Sequence, residues 1–206
     1  MENLSLIATV GFIHLLALIS PGPDFVVACR NSIQYSKKTG LWTAVGFGIG
    51  VSVHICFAFF GLSWLVSQSG YAFNIVKYMG AGYLIYLGIN SIISNKMFST
   101  VSERQNKKSI KWFEAVANGL LTNILNPKAT LFFISLFTLV VGPGVDYMVM
   151  IFLTFVLISS TILWFSLVAI FLSQNKIREL FERFQLKLNL FFGIILALAG
   201  IGVVWF

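Results

Sequence analysis

The sequence is short of what keeps a protein in water. Only 10% of its 206 residues are charged and 58% are hydrophobic, where an ordinary soluble domain has roughly 25% and 45–50%. Mean hydropathy is +0.89. So little polar surface cannot coat a core of this size, and most of the chain is expected to have lipid as its solvent. Cysteine is scarce too: Cys29 and Cys56 form no C-x-x-C and no cluster with His14 or His54. A disulfide framework is excluded and a zinc site is not supported, and no metal or cofactor is expected. No G-x-x-x-x-G-K-[ST] occurs, so transport powered by an ATPase within this chain is excluded. The opening MENLSLIATVGFIHLLALIS lacks a basic n-region and a small-residue cleavage site, and is expected to be a retained membrane segment. There is no Gly/Ser linker or low-complexity tract. The expectation is a single transmembrane domain over 1–206.

What is abundant is long apolar sequence. Six runs, at 4–30, 41–66, 75–94, 115–139, 147–172 and 189–206, are candidate transmembrane helices, because a hydrocarbon core of roughly 30 Å takes about 20 helical residues. No Asp, Glu, Lys or Arg lies between Lys38 and Lys77 or between Asp146 and Lys176. Of the 14 Lys and Arg, all but Lys77 and Lys128 fall in the first, third and fifth connections. Basic residues stay on the cytoplasmic side, so both termini are expected outside the cytoplasm. The net charge of +7 then faces anionic lipid and not nucleic acid.

Proline is rare, and three of the four interrupt apolar runs. Ser20-Pro21-Gly22-Pro23-Asp24 breaks the first span and Asn126-Pro127-Lys128 the fourth. Proline removes a donor and clashes with the preceding turn, and lipid cannot satisfy the freed carbonyls. The breaks occupy the first span of each three-span half, 1–94 and 115–206, joined by a cytoplasmic loop at 95–114. Three spans per half invert the second half relative to the first. The fold expected is therefore an all-α membrane protein, six transmembrane helices in a 3+3 inverted repeat with helices 1 and 4 broken at Pro. Such paired breaks point to a secondary transporter's midplane site.

Asp24 and Lys128 stand at these breaks with opposite charge, and an intramembrane charge is a functional hypothesis by default. Either Asp24 attracts an ammonium and Lys128 a carboxylate, which suits a zwitterionic amino acid, or the two pair as an interior salt bridge. Asn118, Thr122, Asn123 and Asn126 approach the second break; they either line the pathway or hydrogen-bond between helices. His14 and His54 are candidates for a proton relay with Asp24, or else structural hydrogen-bonding residues. Glu114 reads as a helix-start residue. Gly46-x-x-x-Gly50 and Gly80/Gly82 allow close helix approach. Trp42, Trp64, Trp112 and Trp205 suit an interfacial belt, while Trp164 suits the core. The small size suggests a homo-oligomer packed through Gly-rich faces.

The runs HLLALISPGPDF at 14–25, GAGYLIYLG at 80–88, GLLTNILNPKATLFF at 119–133 and NLFFGIILALAG at 189–200 resemble the LysE/RhtB family of bacterial amino-acid exporters. SPGPDF together with LLTN-x-x-NPKA is most similar to the RhtC-type threonine and homoserine branch. The resemblance implies an inner-membrane efflux carrier for small neutral amino acids, driven by the proton gradient. It puts the family's first motif on Ser20, Pro21, Gly22, Pro23 and Asp24, and its second on Asn126, Pro127, Lys128 and Ala129. With Asn123, these are the candidate residues for substrate binding and translocation. The alternatives are a passive channel, an exporter of another metabolite and, weakest, a membrane-embedded enzyme, for which no acid–base pair, metal motif or redox dithiol is visible.

Overall fold

An uncharged apolar stretch in lipid has one local solution, the helix, because only there does each backbone group find its partner within the segment. The computed structural model follows that rule. It describes residues 2–20, 22–68, 70–93, 110–141, 145–172 and 174, and near the C-terminus 184, 186–187, 189–191, 193–198 and 200–202. Among the described residues there are helices and no strands. They are α1 (Glu2–Ile19), α2 (Pro23–Gln34), α3 (Lys37–Gln68), α4 (Gly70–Ile93), α5 (Trp112–Ile124), α6 (Pro127–Leu136) and α7 (Tyr147–Phe171). The last, α8, is Asn189–Gly202, and α6 runs on into a π-helical turn, Phe137–Val141.

Among the described residues, two single helices are long and apolar enough to cross a membrane, Lys37–Gly61 within α3 and Tyr147–Phe171. A third span results if Asn3–Ile19 and Pro23–Gln34, bent by 60°, are taken together. Six runs were expected, and the difference has a physical origin. α5 and α6 are only 13 and 10 residues long, short of the roughly 20 a span needs. α4 has the length but carries Asn74, Lys77 and Asn90. Part of the last run, and the connections at 94–109 and 175–183, lie outside the described residues.

Local chemistry sets the helix starts. Pro23 and Pro127 open α2 and α6, where a missing N–H costs nothing. The Asn126 side chain accepts from Lys128 N at 3.0 Å, and Asp146 caps α7 by accepting from Met148 N at 2.8 Å. Glu114, in the first turn of α5, accepts from Lys111 N at 3.2 Å, the helix-start role expected of it.

Helix α7 buries Met150, Leu153, Leu157, Thr161, Phe165 and Val168, spaced by three or four residues as one helical face requires. Its outer face is equally apolar, with Ile151, Phe152, Phe155 and Leu163 exposed. A helix apolar all round belongs in lipid. Two apolar clusters form the interior. One joins α1, α3, α4, α6 and α7 around Val10, Val51, Leu84, Phe133, Leu136 and Leu153. The other joins α2, α3 and α7 around Phe25, Cys29, Phe47, Phe165 and Val168, with Trp164 packed against it.

Glycine permits the closest helix contact. A Cβ on Gly46 would strike the Val116 carbonyl of α5, and one on Gly119 the Thr43 carbonyl of α3. Gly50 faces Asn123, and Gly48 faces Ile162 of α7. The Gly46-x-x-x-Gly50 face is thus filled inside the chain, whereas Gly82 has open space before it. Trp42 and Trp112 meet at 5.7 Å between ring centroids. Trp205 and the side chain of Trp64 lie outside the described residues.

Candidate functional site

Between the two clusters lies a cavity lined by His14, Ala17, Ser20, Gly22, Asp24, Asn123, Asn126 and Lys128, with Phe25, Phe132, Phe133 and Phe165 as apolar walls. Both interrupted segments reach it. Gly22, before α2, is in extended conformation, and Asp24 occupies the first turn that follows. A Cβ at Gly22 would lie 3.1 Å from Lys128 Cδ, so the missing side chain makes room for the lysine stem.

Asp24 is 9% exposed. Its Oδ2 accepts from Asn123 Nδ2 at 2.8 Å, while its Oδ1 is buried without a hydrogen bond of good geometry, the Asn126 side chain being the next donor to the carboxylate. Because that carboxylate oxygen accepts, the Asn123 amide must present its nitrogen there. The carboxylate sits at the positive end of α2, which favours an anion. Lys128 reaches elsewhere: its Nζ donates to Ser20 O at 2.6 Å and to Ala17 O at 3.2 Å. The ammonium thereby holds carbonyls at the negative end of α1, the favourable end for a cation. Asp24 and Lys128 thus spend their direct hydrogen bonds on other groups, while their opposite charges still act on each other across the same cavity.

His14 is 2% exposed. Thr161 Oγ1 donates to Leu157 O at 2.8 Å, so its single proton is committed. The 3.0 Å contact between His14 Nε2 and Thr161 Oγ1 must then have the ring as donor. That assigns the Nε2–H form in the neutral ring and leaves Nδ1 as a buried acceptor without a donor. His54 is placed differently. Its Nε2 donates to Asn123 O at 3.0 Å and its ring stacks on Phe133 at 5.7 Å, and it is not among the cavity-lining residues.

The sequence-selected residues separate accordingly. Ser20, Gly22, Asp24, Asn123, Asn126, Lys128 and His14 come together around one cavity. Pro23 and Pro127 open the adjoining helices and are exposed, and Pro21 lies outside the described residues. Asn118 is exposed, and the Thr122 hydroxyl donates back to its carbonyl at 2.6 Å. Sequence reasoning missed Thr161, the partner of His14. It also missed a polar chain in which Ser20 Oγ donates to Ser91 Oγ at 3.4 Å and Ser91 Oγ to Asn189 O at 3.1 Å. No spacing rule links residues so far apart in sequence.

An apolar helical exterior around a cavity lined by a carboxylate, an ammonium and spare acceptors fits a membrane transport protein. The comparisons with known proteins agree. The LysE type translocator family matches residues 15–205, and the chain belongs to that family. It is 29% identical to the threonine efflux protein of Escherichia coli (strain K12) over 202 residues, 98% of each chain. It is 28% identical to that of Salmonella typhi over 202 residues, again 98% of each. A Bacillus subtilis membrane protein, YrhP, is 29% identical over 204 residues, 96% of this chain and 97% of the relative. No solved structure matches.

Proposed function

We propose that the protein is a secondary exporter of small neutral amino acids of the threonine and homoserine kind, working by proton antiport in the bacterial inner membrane. The observation that carries this reading is Asp24, a buried carboxylate with one oxygen held by Asn123 and the other without a hydrogen bond of good geometry at the cavity. A substrate ammonium or a proton satisfies that oxygen, and His14 Nδ1 is a second acceptor for the same exchange. Asp24 and His14 form the proton path. Lys128 uses two of its three N–H groups on carbonyls and keeps one for a substrate carboxylate. Ser20, Pro21, Gly22, Pro23, Asn123, Asn126 and Pro127 shape the translocation path around them.

The architecture belonging to this reading is a single domain of six spans in a 3+3 inverted repeat. α1–α2 and α5–α6 are spans broken at their prolines, and both chain ends face outward. Two inverted halves that rock about a central site give alternating access. In such a cycle the lining moves as the substrate passes. Relatives named as threonine efflux proteins at 28–29% identity support the substrate class.

The test is efflux of labelled amino acids from preloaded proteoliposomes, with and without a pH gradient. Threonine efflux that the gradient accelerates, falling about tenfold or more in folded Asp24→Asn protein, is the expected result. Flux indifferent to the gradient would mean a channel, and no amino-acid flux would mean another metabolite.

A further inference from the structure

Each proline segment removes the N–H that a continuous helix would give to a carbonyl one turn earlier. The helical partner of the Ala17 carbonyl is the N–H four residues on, and that residue is Pro21, which has none. The same count from Asn123 arrives at Pro127. Lipid offers no donor to either. In both cases a side-chain donor comes from the opposite half of the chain. Lys128, from the second half, donates to Ala17 O at 3.2 Å. His54, from the first half, donates to Asn123 O at 3.0 Å, while Asn126 N takes the other lone pair of that carbonyl at 3.1 Å.

We infer that the two halves brace each other's proline segment, and that His54 is a positioning residue for the cavity. It holds the carbonyl of the residue whose side-chain amide holds Asp24 Oδ2. One residue, Asn123, therefore carries a bond from α3 on its backbone and passes a bond to α2 from its side chain. The ring is fixed for this by burial, at 5% exposure, and by stacking on Phe133 at 5.7 Å and 10°. A ring whose N–H is spent on a carbonyl, outside the cavity lining, acts through Asn123 and not on the substrate. The efflux readout of this inference rests on the export reading; the stability readout does not.

The experiment is a double-mutant cycle on the purified full chain in one detergent, His54→Leu with and without Pro127→Ala. Alanine lifts the bar on α5 continuing through Asn126, which is extended beside the proline, and on that continuation the new N–H would meet the Asn123 carbonyl. His54→Leu is expected to lower the melting temperature by about 3–8 °C in the native background, and by less than about half as much beside Pro127→Ala. His54→Gln, whose amide N–H reaches the place of Nε2, recovers most of the loss and keeps the wild-type pH profile of efflux. Should His54→Leu not fold, His54→Gln against the shorter His54→Asn runs the same cycle.

An equal loss in both backgrounds overturns the brace and leaves His54 as packing. His54→Gln as slow as His54→Leu, with a displaced pH profile, overturns it in favour of a titrating role. If the wild type moves no amino acid, the export reading fails while the melting cycle still decides the brace.

Discussion

Asn123 shows how much one residue can organise. Its amide nitrogen donates to Asp24, its carbonyl accepts from His54, and its Oδ1 lies where a Cβ on Gly50 would be. Gly50→Ala is therefore expected to push Asn123 off Asp24. Overpacking of this kind costs about 1–3 kcal/mol, and efflux should fall with stability. Gly82→Ala, facing open space, is the matched control, expected within about 0.5 kcal/mol of wild type. Melting temperatures of the two variants check both, and equal behaviour would refute the contact. Asn123→Leu removes the donor and strands a buried carboxylate, at a cost of about 1–3 kcal/mol or more. Asn123→Gln should do less harm, and comparing their efflux rates separates a lost donor from lost volume.

At the scale of elements, helix α3 carries the packing. Its glycines admit α5 so closely that Gly46 and Gly119 lie against each other's backbone surroundings, and no side chain there could move aside. Gly119→Val is expected to unseat α5, and Asn123 and Asn126 with it, giving protein that does not fold or loses cavity geometry. Chemical unfolding in micelles reads this directly. Helix α7 makes the opposite prediction on its two faces. Leu157→Ala in the core should cost about 2–5 kcal/mol, while Phe155→Ala, 67% exposed, should cost far less, because lipid replaces the lost contacts. A similar cost at both positions would mean that the exposed face is covered by something other than lipid.

For the whole molecule, charge asymmetry sets orientation. With the basic residues gathered in the first, third and fifth connections, both termini are expected on the outer side. An impermeant label on single cysteines introduced near each end of intact cells checks it, and protection of both would reverse the topology. The homo-oligomer inferred from small size needs a free face. The glycines at 46, 48 and 50 already face α5 and α7 within the chain, so protomers would have to meet elsewhere, with Gly61 and Gly82 facing open space. Mass measurement in lipid nanodiscs tests this, and monomers alone would end the idea.

Composition by itself decides the solvent, and the length of the apolar runs decides the helix, because a run of about 20 residues in lipid pairs its backbone within itself only as a helix. The prolines and the stray charges at Asp24 and Lys128 were also legible from local chemistry: missing N–H groups and intramembrane charge cost free energy wherever the helices go. What local sequence could not decide is which groups meet. Asp24 and Lys128 were equally compatible with pairing, and the structure gives each a different partner. His14 and His54 looked alike in sequence, yet one lines the cavity and bonds Thr161 while the other bonds the Asn123 carbonyl from outside the lining. Those outcomes depend on contacts spanning 69 to 147 residues, set by how the helices cross and by where glycine lets them touch, and this is information that only tertiary packing holds.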